Sequence, residues 1–251
     1  MSDVSAPLAE IADEAHRILA AAEQADVQLR LIGGLAVLFH SDPLHPALER
    51  PYKDIDLATV KGQSRKVGDL MASLGYEPAK EFNALNGNRR LLFFDVPNER
   101  QVDVFVGTFE MCHVIPISDR IAIEEKTIPL AELLLTKLQV VELNEKDLTD
   151  IVALLHHHDV ADHDDDTVNA AEVARLTADD WGLWRTTQMN IDRVRERAGT
   201  VGLSDEEHRQ VKERLDVLVA AIEAQPKSRG WRLRDRIGDR KRWYENPDEV
   251  A

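Results

Sequence analysis

The periodicity of hydrophobic and polar positions along this chain changes near residue 130. Upstream, helical spacing alternates with short β-branched runs. Leu8, Ile11, Ala15, Ile18, Leu19 and Ala22 share one face of a 3.6-residue repeat and predict a leading helix over 8–25. Residues 28–32 read as a short strand, and the apolar run 35–40 as the first turns of a helix. Further on, 56–60 predicts a strand and 63–74 a helix ended by Gly75. Residues 90–95 and 101–106 predict two more strands, with short strand pieces at 121–123 and 127–128. Downstream of Leu130 the strand-like alternation disappears. Pro129 opens a helix over 130–142 in the first-turn position that proline tolerates, and helices follow at 144–157, 168–176, 179–198 and 205–224. No internal repeat is visible. The expected class is α/β (α+β): a mixed sheet flanked by helices in 1–129, an all-helical C-terminal domain in 130–225, and a tail over 226–251.

Two features interrupt this pattern with chemistry. Gly33-Gly34 falls where the first strand meets its helix, and glycine there lets backbone approach a ligand while the helix N-terminus favours an anion. A tight turn needing positive φ is the plainer reading. Lys53-Asp54-Ile55-Asp56-Leu57 then spaces two carboxylates so that, on an extended strand, both face one side and Ile55 and Leu57 the other. Like charges that close repel unless a cation intervenes, and Mg²⁺ commonly bridges such carboxylates to substrate phosphates. The competing reading is a solvated Asp-x-Asp on an edge strand. Asp103 is a third acid, set inside Gln101-Val102-Asp103-Val104-Phe105-Val106, where burial without a partner costs several kcal/mol. A metal shared with Asp54 and Asp56 would satisfy it, and so would an arginine such as Arg89 or Arg90.

In this order, Gly33-Gly34, Asp54-Ile55-Asp56 and Asp103 resemble the nucleotidyltransferase superfamily, with its DNA polymerase beta-like fold. Within it, the chain is most similar to abortive-infection toxins of the AbiEii group and their toxin–antitoxin relatives. Lys137 and Lys146-Asp147-Leu148-Thr149-Asp150 match further elements of that group, and the resemblance spans roughly 25–155. It implies a metal-dependent enzyme moving a nucleoside monophosphate from a nucleoside triphosphate to an acceptor hydroxyl, most readily the 3′ end of RNA or tRNA. Asp54, Asp56 and Asp103 would hold two Mg²⁺ ions. Asp103 is also a candidate base, and Lys137 is implied to touch the phosphates. Gly33, Gly34, Arg50, Lys53 and Asp147 are nucleotide-binding candidates, Asp147 alternatively orienting Lys137. Arg50 and Lys53 also read as loop-surface charge, and Lys146 with Asp150 as an exposed i, i+4 pair. A separate antitoxin protein would accompany a toxin. Transfer to an aminoglycoside-like molecule or a protein side chain, and a catalytically silent nucleotide-binding module, are the alternatives.

Composition narrows the setting. With 251 residues, 43% hydrophobic, the chain can bury a real core. A single cysteine, Cys112, excludes an internal disulfide framework and suits a reducing cytosol. No leader precedes an apolar run and no stretch approaches membrane-spanning length, so a soluble, cytoplasmic protein is expected. The net charge of −15 argues against indiscriminate nucleic-acid binding, so a polyanion needs a local basic patch. Residues 226–244 supply one, with eight Lys and Arg side chains against Asp235 and Asp239, and Trp231, Trp243 and Tyr244 interleaved. Equally, such a tail can pair with the acidic body and be pinned by its tryptophans. His156-His157-His158, followed by His163 and Asp164-Asp165-Asp166, reads as a solvated helix terminus and flexible acidic loop rather than a metal site, because consecutive helical histidines diverge by about 100°.

Overall fold

The computed structural model describes residues 6–246. It divides into two compact units. The first comprises residues up to Phe39, Pro51–Phe109 and Pro116–Ile128, and the second His40–Arg50, Glu110–Ile115 and the described residues from Pro129 onward. The change of period near 130 therefore marks a unit boundary, but two short earlier segments join the second unit. The tail clusters with that unit and does not stand apart.

In the first unit the order is α1 (Ile11–Gln24), β1 (Leu29–Ile32), α2 (Gly33–His40, its last residue belonging to the second unit), β2 (Ile55–Thr59), α3 (Ser64–Ser73), β3 (Glu77–Pro78), α4 (Lys80–Asn86), β4 (Arg90–Asp95) and β5 (Arg100–Val106). The strands form a mixed five-stranded sheet ordered β1-β2-β5-β4-β3. β1 runs antiparallel to β2, β2 parallel to β5, and β4 antiparallel to both β5 and β3. Ile55, Leu57, Val102 and Val104 are fully buried, as their alternation requires. α1 inserts Ala15, Ile18 and Ala22 into this core. It also buries Glu14, whose carboxylate accepts hydrogen bonds from Arg17 and Tyr76. Without those donors a buried acid would be costly. Two expectations fail here. Residues 121–123 are turns, and 127 makes only an isolated bridge to Leu31, while α4 has no clear periodic signal because none of its residues is buried.

The chain continues through a two-stranded sheet of β6 (Thr108–Glu110) and β7 (Val114–Pro116). The second unit then builds on α5 (Leu130–Leu138), α6 (Glu145–His157), β8 (Asp159–Ala161), β9 (Thr167–Asn169), α7 (Ala170–Asp179), α8 (Trp181–Arg197), α9 (Asp205–Ala224) and α10 (Arg229–Asp235). Local caps set several of these boundaries. Asn144 accepts from the Asp147 amide, Asp180 from Leu183, and Ser204 with Glu207 closes a capping box. This half is not all-helical, since β8 and β9 pair in parallel on either side of the acidic loop, which residues 163–166 do form. No helix among the described residues is long and apolar enough to cross a membrane.

The triple-histidine tract does end a helix, yet it is packed rather than solvated. The rings of His45, His156, His157, His158 and His40 follow one another with centroids 5.4, 5.0, 6.5 and 5.6 Å apart. Glu207 accepts from the His156 Nε2 at 3.1 Å, while the His158 ring lies 3.0 Å from the His40 carbonyl. Burial, then the neighbouring His156 and His158, pushes the His157 pKa below the ordinary 6.5. Hydrogen bonds from Ser204, then His156, hold the Glu207 carboxyl at about 2. A histidine with a lowered folded-state pKa binds fewer protons folded than unfolded, so its stabilisation is complete above pH 6.5 and declines below it. Thermal melts are therefore expected to hold a constant Tm from pH 8 to 7 and fall below pH 6.5, and His157→Gln should flatten that first decline. The Glu207 contribution should persist until the pH drops below the ordinary carboxylate value of 4.5. A Tm independent of pH between 7 and 5 would exclude this role for the histidines.

Candidate active site

Gly33 and Gly34 open α2 directly after β1. Gly33 has φ +70°, and a Cβ there would sit 3.1 Å from both Cβ and Cγ of Asp56 and closer still to Oδ2. Both the backbone conformation and the space thus exclude other side chains. The turn and the Asp-x-Asp element are in contact, because Ile32 pairs in register with Asp56. Asp56 is half-buried on β2, whereas Lys53 and Asp54 are exposed just ahead of the strand. Only the second aspartate is therefore a strand residue.

Asp103 is the register partner of Asp56 on the neighbouring parallel strand β5, which puts the two acids on the same face of the sheet. It is 4% exposed. Its Oδ1 accepts from Arg90 Nε at 2.7 Å and its Oδ2 from Gln101 Nε2 at 2.7 Å. The Arg90 guanidinium lies 5.2 Å from the Phe105 ring centre and 5.9 Å from that of Phe82. Of the two partners the sequence allows, the arginine is the one present. Leu92 stands opposite Asp103 on β4, so Arg90 reaches it along the diagonal of one sheet face.

The remaining candidates gather in the second unit. Lys137 on α5 places its Nζ 3.0 Å from Asp147 Oδ1 and 2.8 Å from Asp150 Oδ2. Arg50 grips the same Asp150 with two hydrogen bonds, Nε to Oδ1 and Nη2 to Oδ2, each 2.8 Å. Burial is the largest influence on Lys137 and opposes its charge, but Asp150 and Asp147 together outweigh it and raise its pKa. Asp147 is thus a partner of Lys137. Arg50, expected as a phosphate contact or loop-surface charge, pairs with an acid that is 1% exposed. Asp150 is also not the exposed partner of Lys146 that the i, i+4 spacing suggests. Its position on the stripe with Ile151 and Leu154 was the available signal that it turns inward.

Carboxylate oxygens such as those of Asp54 and Asp56 suit Mg²⁺, which binds to proteins through one or two acids and completes its shell with water and phosphate. Asp103 does not fit a ligand set as it stands, because Arg90 and Gln101 engage both of its oxygens. Among the described residues, no group of three or more His, Cys, Asp and Glu side chains is arranged to hold a metal ion. No known family model matches the chain, and no curated protein matches it.

Removing the Arg90 cation leaves a buried acid without its charge partner. Arg90→Met is expected to destabilise the first unit by about 3 kcal/mol in urea unfolding, with Arg90→Met/Asp103→Asn recovering most of that loss. A single variant as stable as the parent would show that the pair contributes nothing.

Proposed function

We propose that this chain is a metal-dependent nucleotidyltransferase that moves a nucleoside monophosphate from a nucleoside triphosphate to an acceptor hydroxyl, with RNA or a tRNA 3′ end as the acceptor class, in the manner of toxin–antitoxin toxins. One observation carries the reading: the close approach of Gly33 to the Asp56 carboxylate, with Asp103 in register on the adjacent strand. The positive φ of Gly33 by itself calls for glycine in any tight turn. The approach of Asp56 adds an acid beside the N-terminus of α2, an end that favours anions, so a cation on Asp56 and a phosphate on the helix would lie side by side. The order of strand, Gly-Gly, helix and acid-bearing strands supports the same reading.

Asp54 and Asp56 would hold Mg²⁺, which when bound supplies positive charge against the phosphates and lowers the pKa of a nearby hydroxyl. The acceptor oxygen bonds to the α-phosphorus while the bond from that phosphorus to the bridging oxygen of the β-phosphate breaks, and pyrophosphate leaves. Asp103 takes the hydroxyl proton, which requires Arg90 to release Oδ1 or Gln101 to release Oδ2. The Arg90 guanidinium remains on the same sheet face as a counter-charge. Within the second unit, Lys137 is held charged by Asp147 and Asp150, and any anion it binds competes with those two acids.

Purified protein incubated with α-labelled nucleoside triphosphates, Mg²⁺ and total RNA is expected to place label in RNA, and Asp56→Ala to abolish this while keeping the parental circular dichroism spectrum. Label confined to a small molecule would redirect the acceptor to the aminoglycoside-like class. Full turnover by Asp56→Ala would overturn the assignment.

A further inference from the structure

The basic segment at the C-terminal end of the described chain belongs wholly to the second unit. Its two acids, both exposed, each have a partner on α8: Asp235 accepts from Trp181 Nε1 at 2.7 Å, and Asp239 pairs with Arg185 at 3.0 Å. Arg234 is held too, with its guanidinium 4.4 Å from the Trp181 ring centre and hydrogen bonds to the Gly238 and Lys241 carbonyls. The aromatic side chains serve the same anchoring. Trp231 is 9% exposed and meets Trp184 edge-on at 5.0 Å, and Trp243 donates to Thr186 at 3.0 Å. Arg229, Arg232, Arg236, Arg240 and Lys241 remain exposed.

We infer that this outward basic face of residues 229–242 is a docking surface for RNA, engaging its phosphate backbone. Charge complementarity selects the occupant. The whole chain carries −15, so a uniform surface would repel a polyanion, yet this segment presents Arg229, Arg232, Arg236, Arg240 and Lys241 in water against Asp235 and Asp239, and Asp239 is already paired with Arg185 of α8. Guanidinium groups pair with phosphate in fork geometry, and a row of them neutralises successive phosphates with release of counterions. Trp231 is buried and Trp243, half-buried, is held by Thr186, so both serve as anchors and binding is directed to the backbone without strong sequence choice. Leu233 and Ile237, 61% and 45% exposed, are too small an apolar surface to insert into a membrane but can line the sugar edge of a strand. The choice of RNA over DNA rests on the acceptor proposed above. The placement of the surface rests on the segment's own geometry.

The test uses the full chain with fluorescein-labelled tRNA transcript, the same-length single-stranded DNA, and vesicles of phosphatidylcholine with phosphatidylserine. The parent is expected to bind the transcript with an affinity that falls steeply with salt. Arg232→Ser/Arg236→Ser/Arg240→Ser, all exposed positions, should lose at least about tenfold in affinity and lower the salt slope by about 2 to 3 at an unchanged Tm. Transcript affinity within twofold of the parent, tighter binding to DNA or to the vesicles than to the transcript, or dependence on Leu233→Ser/Ile237→Ser rather than on the arginines would each overturn the inference. The two proposals fail separately. RNA labelling without any effect of the arginine variant on RNA affinity sinks the surface alone, whereas arginine-dependent RNA binding without release of pyrophosphate sinks the transferase alone.

Discussion

The carboxylate of Asp56 rests against the Cα of Gly33, at a spot where any side chain on that glycine would collide with it. Much of the first unit is organised around this contact. It needs β1 and β2 to pair so that Ile32 stands opposite Asp56, and it needs the chain to turn at positive φ straight from strand into helix. The parallel pairing of β2 with β5 then brings Asp103 beside Asp56. An acid-lined sheet face next to a helix N-terminus is the outcome. Elementary electrostatics calls for compensating positive charge there, and the chain provides part of it through Arg90.

That arginine gives the site a two-sided character. With Arg90 and Gln101 in place, Asp103 is a satisfied, nearly buried carboxylate, and the sheet can fold without an added cation. The same pairing competes with any other use of Asp103 as ligand or base. The second unit repeats the principle, since Asp150 is the shared acid between Arg50 and Lys137, with Asp147 completing the balance on α6. Both networks join residues whose charge would be prohibitive alone in a dry environment. Each is therefore satisfied as it stands, and any ion that binds there has to displace an existing partner.

Several of these features were legible from residue order. Helices α6, α8 and α9 announce themselves through apolar spacing and through caps at Asn144, Asp180 and Ser204, all local signals. β4 coincides with the expected strand, and β5 begins one residue before it. The Gly33-Gly34 turn could be placed because strand and helix propensities meet there. Other features left little trace. α4 buries none of its residues, so it has no stripe to detect, and β8 and β9 are three-residue strands flanking the acidic loop, too short to show an alternation. The histidine tract reads as solvated because its packing partners, His45 and Glu207, are remote in the chain.

What the sequence determined by itself is the list of elements, the unusual acids on apolar strands, and the glycine at the turn, because these depend on periodicity and on the backbone preferences of neighbouring residues. Only the tertiary structure decided which partner each charge takes. Arg50 meets Asp150 across 100 positions, Arg90 was chosen over Arg89 by strand register, and Asp235 and Asp239 took Trp181 and Arg185 as partners, more than 50 positions away. Such choices belong to packing: a side chain pairs with whatever the folded backbone brings within about 3 Å, and that distance is set by contacts remote in sequence.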